Sequence, residues 1–304
     1  MISEARKAYI AFEVTKYGVE RVAKHEKLPV ETIKDYVYRY KKQVNEDGTP
    51  AKVLLFDIET TPLEVYTWGL WKQNIHIGQI IKDWNIICWR GKWLFSDKII
   101  GDVQTPTEAI ARDDKRVAKS LWEAIDEANI IIAHNLMDFD LKKANSRFLK
   151  HGMLPPSSCQ MIDTLKVARS QFKMSSNKLD YLCSMLGIEA KFDTGFNLWK
   201  KCLAGDKEAL TEMYNYCGQD TSILEDLYLK LRPWVKSHPN MALYLENREG
   251  ACANCGSHTL IEDSKEYYTP TGKYQAYRCV DCGAITRSRH STKRTPGLLR
   301  SVGR

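Results

Sequence analysis

The run VLLFDIET, residues 53–60, constrains this chain more than any other segment. It reads as a β-strand, in which successive side chains point to opposite faces, so Asp57 and Glu59 share one face while Phe56 and Ile58 take the other. The two acids leave the backbone only about 7 Å apart. An uninterrupted apolar lead-in argues for a central strand, where neither carboxylate is freely hydrated. Two such groups repel each other, and protonation or cations must relieve the repulsion. The competing reading is an edge strand with both acids solvated.

Further acids follow at two places. The apolar strand NIIIAHN turns into a helix as LMDFDLKK, which offers Asp138 and Asp140; spacing alone does not choose between them. In YNYCGQDTSILEDL, Tyr216 and Asp220 are four residues apart and share a helix face with Ile223, Leu224 and Leu227. That stripe faces the core, where an unpaired Asp is costly but one that reaches a metal ion is compensated.

Taken together, FDIET, HNLMDFD and YCGQD resemble the three motifs of the DEDD 3′→5′ exonucleases, the family of polymerase proofreading domains and RNase D. In the second motif, an Asn followed after three residues by Phe-Asp selects Asp140 over Asp138. The third is similar to that of the tyrosine subgroup, Tyr-x-x-x-Asp. Asn215 stands where the histidine subgroup would have its base. The resemblance spans about Lys52 to Leu231, and MIDTLKVAR around Asp163 and NKLDYLCSMLGI look like the family's connecting elements.

This resemblance implies an RNase H-like mixed α/β sheet flanked by helices, with two Mg²⁺ or Mn²⁺ ions held by Asp57, Glu59, Asp140 and Asp220. Asp57 would bridge the ions, Glu59 and Asp220 would serve the ion that activates water, and Asp140 would reach the other partly through water. Oxygen-only ligation favours hard cations. Tyr216 would orient the water. The Thr60 and Thr61 backbone and Leu63 would hold the terminal nucleotide, while Asn135 and Phe139 line the cleft; plain core packing competes for Leu63 and Phe139. The expected activity is hydrolysis from a nucleic-acid 3′ end, with single-stranded DNA favoured over RNA. RNA trimming is the alternative within enzymes. A non-catalytic DNA-binding protein with a relic core is the alternative outside them, and the intact acids with Tyr216 count against it. Replication or repair proteins are the expected partners.

Around this core, residues 51–245, the sequence carries three further segments. Residues 1–48 have helical apolar spacing and read as two helices joined at Leu28-Pro29, with Val22 and Ala23 packing inward from the first and Ile33 and Val37 from the second. The pattern looks like a helix-turn-helix whose second helix carries Lys34, Arg39, Lys41 and Lys42, and NEDGTP closes it as a linker. A helical hairpin that packs on the core or binds protein is the other reading. Residues 249–285 hold CANCG and CVDCG, whose thiolates Cys252, Cys255, Cys279 and Cys282 have the spacing of a zinc ribbon with one structural Zn²⁺. Residues 286–304 read as a disordered basic tail. From Ala284 onward the chain has Arg287, Arg289, Lys293, Arg294, Arg300 and Arg304 and no acid, which accounts for nearly all of the net charge of +7.

Cys88, Cys159, Cys183, Cys202 and Cys217 read as small buried hydrophobes. The N-terminus lacks a secretory pattern and no apolar run approaches the ~20 residues of a membrane helix, so the expectation is an intracellular protein without membrane contact. Within the core, KVLLFDIE, IICWR, KWLFS and NIIIAHN are expected strands. KSLWEAIDEA, DLKKANSRFLKHG, NKLDYLCSMLGI and EALTEMYNYCGQDTSILEDLYLKL are expected helices. The stretch from Glu64 to Phe95 has Trp68, Trp71, Trp84, Trp89 and Trp93 among basic residues; core packing is the default for each, and Trp71 with Lys72 are the candidates for substrate contact.

Overall fold

The computed structural model describes residues 10, 14, 18–34, 51–189, 195–245, 247–292 and 297–299 of the 304-residue chain. Val37, Arg39, Lys41 and Lys42, the NEDGTP linker and the tail positions 293–296 and 300–304 lie outside the described residues. The chain divides into two compact units, Lys52–Trp234 and, together, Met1–Ala51 with Val235–Arg304.

The larger unit is built on a five-stranded mixed sheet of order β5-β4-β1-β6-β7. At its centre lies β1 (Val53–Thr60), antiparallel to β4 (Ile86–Trp93) and parallel to β6 (Ile130–Ala133). β5 (Ile99–Val103) closes one edge antiparallel to β4, and β7 (Gln160–Asp163) closes the other parallel to β6. β2 (Glu64–Val65) and β3 (Ile80–Lys82) form a separate two-stranded ribbon. IICWR and KWLFS, read as two strands, are one: Gly91 continues β4 opposite Phe56, where an added Cβ would stand 3.0 Å from the Leu55 carbonyl oxygen and 3.2 Å from the Phe56 Cβ. The glycine serves close strand packing instead of a turn.

Helices cover both faces. Leu54, Phe56 and Ile58 pack with Leu121 and Ile125 of α3 (Lys115–Glu127) and with Ala144 and Phe148 of α4 (Asp140–Lys150). On the other face, Ile87 and Cys88 pack with Leu198 and Cys202 of α7 (Asn197–Leu203) and with Leu210, Met213 and Cys217 of α8 (Lys207–Leu231). α5 (Thr164–Gln171) and α6 (Leu179–Met185) pack on the C-terminal half of α8 through Ala168, Leu182, Ile223 and Leu227. Cys88, Cys183, Cys202 and Cys217 are buried and Cys159 is half-buried. The short α2 (Pro106–Ala111) was not legible as a helix, although its start is well specified: Thr105 and Glu108 form a reciprocal capping box and Pro106 occupies the first turn. No helix among the described residues is long and apolar enough to cross a membrane.

In the other unit, α1 (Val19–Glu26) ends at Lys27 in the left-handed conformation, and helical residues 30–34 follow. Val22, Ala23 and Ile33 are buried together with Ile10. The C-terminal part has a hairpin of β9 (Tyr267–Thr269) and β10 (Gly272–Tyr274) and a sheet in which β11 (Ala276–Cys279) lies between β8 (Leu260–Glu262) and β12 (Ile285–Arg287).

One buried acid outside the sequence motifs ties the larger unit together. The Asp114 carboxylate, fully buried, accepts from Arg147 Nε and Nη2 at 2.6 Å each, from the Ile86 N–H at 2.8 Å, and pairs with His151 Nε2 at 2.6 Å. Burial alone would raise its pKa, but the Arg147 guanidinium and the other donors hold it below the usual carboxylate range. Asp114→Ala would leave Arg147 buried without its counter-charge, and urea denaturation is expected to show a loss of about 3–5 kcal/mol.

Candidate active site

The β1 ladder places Asp57 opposite Arg90 and Glu59 opposite Cys88, so all four side chains lie on the face that α8 covers. A register shift between Glu59 and Thr60 ends the regular pairing there. α8 crosses this face closely at Gly218, where an added Cβ would meet the Arg90 guanidinium at 3.3 Å. The neighbouring Cys217 donates its thiol to the Asp57 carbonyl at 3.4 Å and to Asp57 Oδ2 at 3.5 Å. Arg90 stacks over the Tyr214 ring at 3.9 Å. One turn further along α8, Asp220 reaches the two strand acids: Asp57, Glu59 and Asp220 each offer a carboxylate oxygen, all within 4.8 Å of one another.

Asp140 begins α4 and is 1% exposed, with neither carboxylate oxygen meeting a hydrogen-bond partner. Asp138, two residues earlier, is exposed and pairs with Lys142 at 3.0 Å and Lys166 at 3.2 Å. The two candidates therefore differ in kind: one is a solvated ion pair, the other a buried acid close enough to Asp57 to disturb its ionisation. The loop leading to Asp140 is held by Asp163, which accepts from the Asn135 N–H at 3.2 Å and the Met137 N–H at 3.0 Å and also caps α5. Asn135 itself adopts φ = 80°, a left-handed conformation that Asn tolerates better than most residues.

Crowding of buried acids sets the electrostatics, with Arg90 the cation opposite Asp57 on the same face. Burial, then the neighbouring acids, pushes Asp57 and Glu59 well above the usual carboxylate range. Burial raises Asp140 to about 7, and burial with the Asp57 charge raises Asp220 to about 8, against a hydrogen bond from Tyr216 that opposes the rise. Asp57, Glu59 and Asp220 fit a divalent cation, since the donors are all oxygen; Asp140 lies outside that group of three, with both its oxygens buried without partners.

The other expected site residues separate by place. Thr61 is buried; its hydroxyl donates to Asn85 Oδ1 at 2.8 Å and accepts from Arg112 Nη1 at 2.9 Å. The Thr60 carbonyl accepts from the Trp199 indole at 3.2 Å. Leu63 is exposed, so core packing does not describe it, whereas Phe139 packs partly into the α3/α4 core. Asn135 borders a cavity of about 530 Å³ with His134, Arg169, Asn177 and Lys178. Arg169, Asn177 and Lys178 fall in the segments MIDTLKVAR and NKLDYLCSMLGI, which the sequence marked as connecting elements without singling these residues out. Core packing holds for Trp89, which is buried, and in part for Trp84 and Trp93. It fails for Trp68 and Trp71, which are 97% and 84% exposed, and Lys72 beside Trp71 is exposed with φ = 52°.

In the other unit, Cys252, Cys255, Cys279 and Cys282 bring their sulfurs within 4.8 Å of one another, with Cys252–Cys282 at 3.7 Å and Cys255–Cys279 at 3.6 Å. A tetrahedral zinc with Zn–S bonds of ~2.3 Å requires sulfurs about 3.8 Å apart. The cluster has that size. Mutual sulfur hydrogen bonds drive Cys279 below and Cys255 above the usual thiol range.

The raised carboxylates have a consequence for stability. Asp140 and Asp220 titrate near 7 and 8 when folded but near ~4 when unfolded, so the stability tied to their protonation is present below about pH 4 and is lost as pH rises through 7 to 8. Without divalent cations, the melting temperature is expected to fall from pH 5 to pH 8, and Asp220→Asn to flatten that fall. Mg²⁺ or Mn²⁺ should restore the loss, more at pH 8 than at pH 6. A melting temperature indifferent to pH and to both cations would contradict this electrostatic picture.

Comparison with known proteins bears on the same region. Residues 93–232 match the model of a protein family described as the RNase H superfamily. The chain is 28% identical over 148 residues to a DNA polymerase III PolC-type of Ureaplasma parvum serovar 3, an overlap of 46% of this chain and 10% of that polymerase. It thus spans about a tenth of the curated relative's length. A solved family B DNA polymerase from the hyperthermophilic archaeon Pyrobaculum calidifontis aligns at 15% identity, over 75% of this chain and 32% of that one, with a TM-score of 0.41. The five-stranded mixed sheet flanked by helices is consistent with an RNase H-like fold, in keeping with the match over residues 93–232.

Proposed function

We propose that this chain is a metal-dependent 3′→5′ exonuclease of the tyrosine subgroup of the DEDD family, acting on single-stranded DNA. The observation that carries the reading is the gathering of Asp57, Glu59 and Asp220 on the α8 face, with Asp140 close enough to Asp57 to disturb its ionisation and Tyr216 bonded to Asp220. Two divalent cations, Mg²⁺ or Mn²⁺, would, when bound, supply charge for activating a water and stabilising the leaving 3′ oxygen. Asp57, Glu59, Asp140 and Asp220 hold them. Tyr216, oriented through Asp220, directs the attacking water. Thr60, Thr61 and Leu63 position the terminal nucleotide, and Asn135 and Phe139 border it.

The ribbon after β1 supports contact with the strand. Between Glu64 and Asp83 the sequence has no acid, and Tyr66, Trp68, Leu70, Trp71 and Ile77 are exposed there beside Lys72 and His76. Aromatic side chains with nearby cations stack bases without regard to sequence. DNA is favoured because the curated relative is named a DNA polymerase. Replication or repair proteins are the proposed partners. The helix-turn-helix-like segment and the basic tail are proposed to add phosphate contacts, and the four-cysteine cluster to bind one structural Zn²⁺.

End-labelled single strands of DNA and RNA, incubated side by side with Mn²⁺, are expected to lose mononucleotides from the 3′ end, DNA faster. Asp57→Ala should abolish turnover and tight Mn²⁺ binding together. Tyr216→Phe keeps the carboxylates and should bind Mn²⁺ normally while turning over roughly 10- to 1,000-fold more slowly. A fully active Tyr216→Phe variant would contradict the subgroup assignment. Metal analysis should find one zinc per chain, reduced by Cys279→Ser; less than half an equivalent in protein purified without chelator would argue against the zinc site.

A further inference from the structure

A second concavity lies beside the end of β1, with a volume of about 310 Å³. Its wall includes Lys82, Trp84, Asn85, Arg112, Arg147 and Lys150, and Asp83 is its one acid. Three of these cations have carboxylate partners outside the cavity lining. Asp114 takes Arg147, while Glu64 takes Arg112 at 3.1 Å and Lys82 at 4.0 Å. A further cation, Lys143, sits over the Trp84 ring at 3.6 Å.

Asn85 gives the cavity its direction. The residue is 1% exposed, and its Nδ2 is buried without an acceptor. The amide orientation is fixed by its neighbours. Thr61 Oγ1 already accepts from the Asn85 N–H at 2.9 Å and from Arg112 at 2.9 Å, so its own proton goes to Asn85 Oδ1. Reversing the amide would give that oxygen a third donor and leave Oδ1 with none. A buried donor without an acceptor costs free energy that an anionic oxygen would recover. Arg147 is locked by Asp114 and by the Trp84 carbonyl and forms a rigid wall, whereas Lys82 and Lys150 have exposed side chains that can close on a ligand.

We propose that this cavity binds a phosphoryl group, carried by a nucleic-acid backbone or by a free nucleotide. Convergent cations with one neutral amide donor suit an oxyanion with several acceptor oxygens. The indole of Trp84 offers an apolar surface beside it. Asn85 bonds to Thr61, which is two strand residues, about 7 Å, beyond Glu59. A strand that ends at the acids has a phosphate within reach.

The test uses the full chain without added divalent cation, so that binding is read without turnover and stands apart from the nuclease reading. Fluorescence anisotropy with a labelled twelve-nucleotide oligo-dT compares the native protein with Lys82→Ala/Lys150→Ala and with Asn85→Asp, which keeps the acceptor for Thr61 and replaces the free donor by a charge. A backbone ligand predicts roughly 5- to 30-fold weaker binding in both variants and, for the lysine pair, a salt slope lower by about 1 to 1.4. A free nucleotide predicts instead that dTMP or inorganic phosphate raises the melting temperature of the native protein and not of the variants, with oligo-dT affinity unchanged. The two exposed lysines are not needed for folding, so the lysine pair decides if Asn85→Asp fails to fold. Unchanged oligo-dT affinity and salt slope, with no protection by phosphate or dTMP, would overturn the proposal.

Discussion

The alternation of side chains along β1 is the constraint on which the rest of this structure depends. One face of the strand gives Leu54, Phe56 and Ile58 to the main core, and the other carries Asp57 and Glu59 beneath α8. A strand central enough to bury the first set cannot leave the second in free solvent. The helix over the acids then adds Asp220 to them. Nothing in such an arrangement lowers the energy of the metal-free fold; the cost is met by packing around Phe56, Leu121 and Met213, each fully buried. Residues kept at a net cost to stability are those expected at functional sites.

Placing Asp220 against β1 demands a close crossing. At Gly218 the helix lies against Arg90, and Thr221 donates to the Arg90 carbonyl at 3.2 Å. A side chain at 218 would press on the Arg90 guanidinium, which would have to give by a few tenths of an ångström beside the acids. The site is thus assembled by the helix–sheet distance as much as by the acids. Asp140 comes from the opposite helix layer by another route, through the loop that Asp163 fastens by two backbone N–H groups while capping α5 with two more. Asp163 looked like a connecting element in the sequence, and its physical role is to fix the approach of Asp140.

Local chemistry was legible where residue type and spacing lie within one element. The acids of β1, the α8 helix and the four clustered cysteines each declared themselves by spacing. Legibility failed where partners are distant in sequence. Asp114, with its buried ion pair to Arg147 33 residues away, had no local signature, and neither did Arg90, which joins the acid face only because the β1–β4 register puts it opposite Asp57. The tryptophans show the same limit. Trp68 and Trp89 lie in equally aromatic surroundings in the sequence, yet one is 97% and the other 3% exposed, because only the second falls on a paired strand. β2 and β3 were missed for a related reason: strands of two and three residues contain too few positions for alternation to appear.

Thr61 connects the two chemically opposed regions of the larger unit. Its backbone N–H donates to the Asn85 carbonyl at 2.9 Å, directly beyond the register shift that ends β1 pairing, so the strand's departure from the sheet is fixed at the point where the chain leaves the acids. Its hydroxyl joins Asn85 to Arg112, and Arg112 in turn holds Glu64 at the base of the β2–β3 ribbon. A single buried hydroxyl therefore sets the spacing between a cluster that must attract cations and a wall that must attract anions. Both regions rely on the same fixed end of β1. The bonds that fix the end of the acidic strand therefore also place Asn85 and Arg112 in the cavity wall.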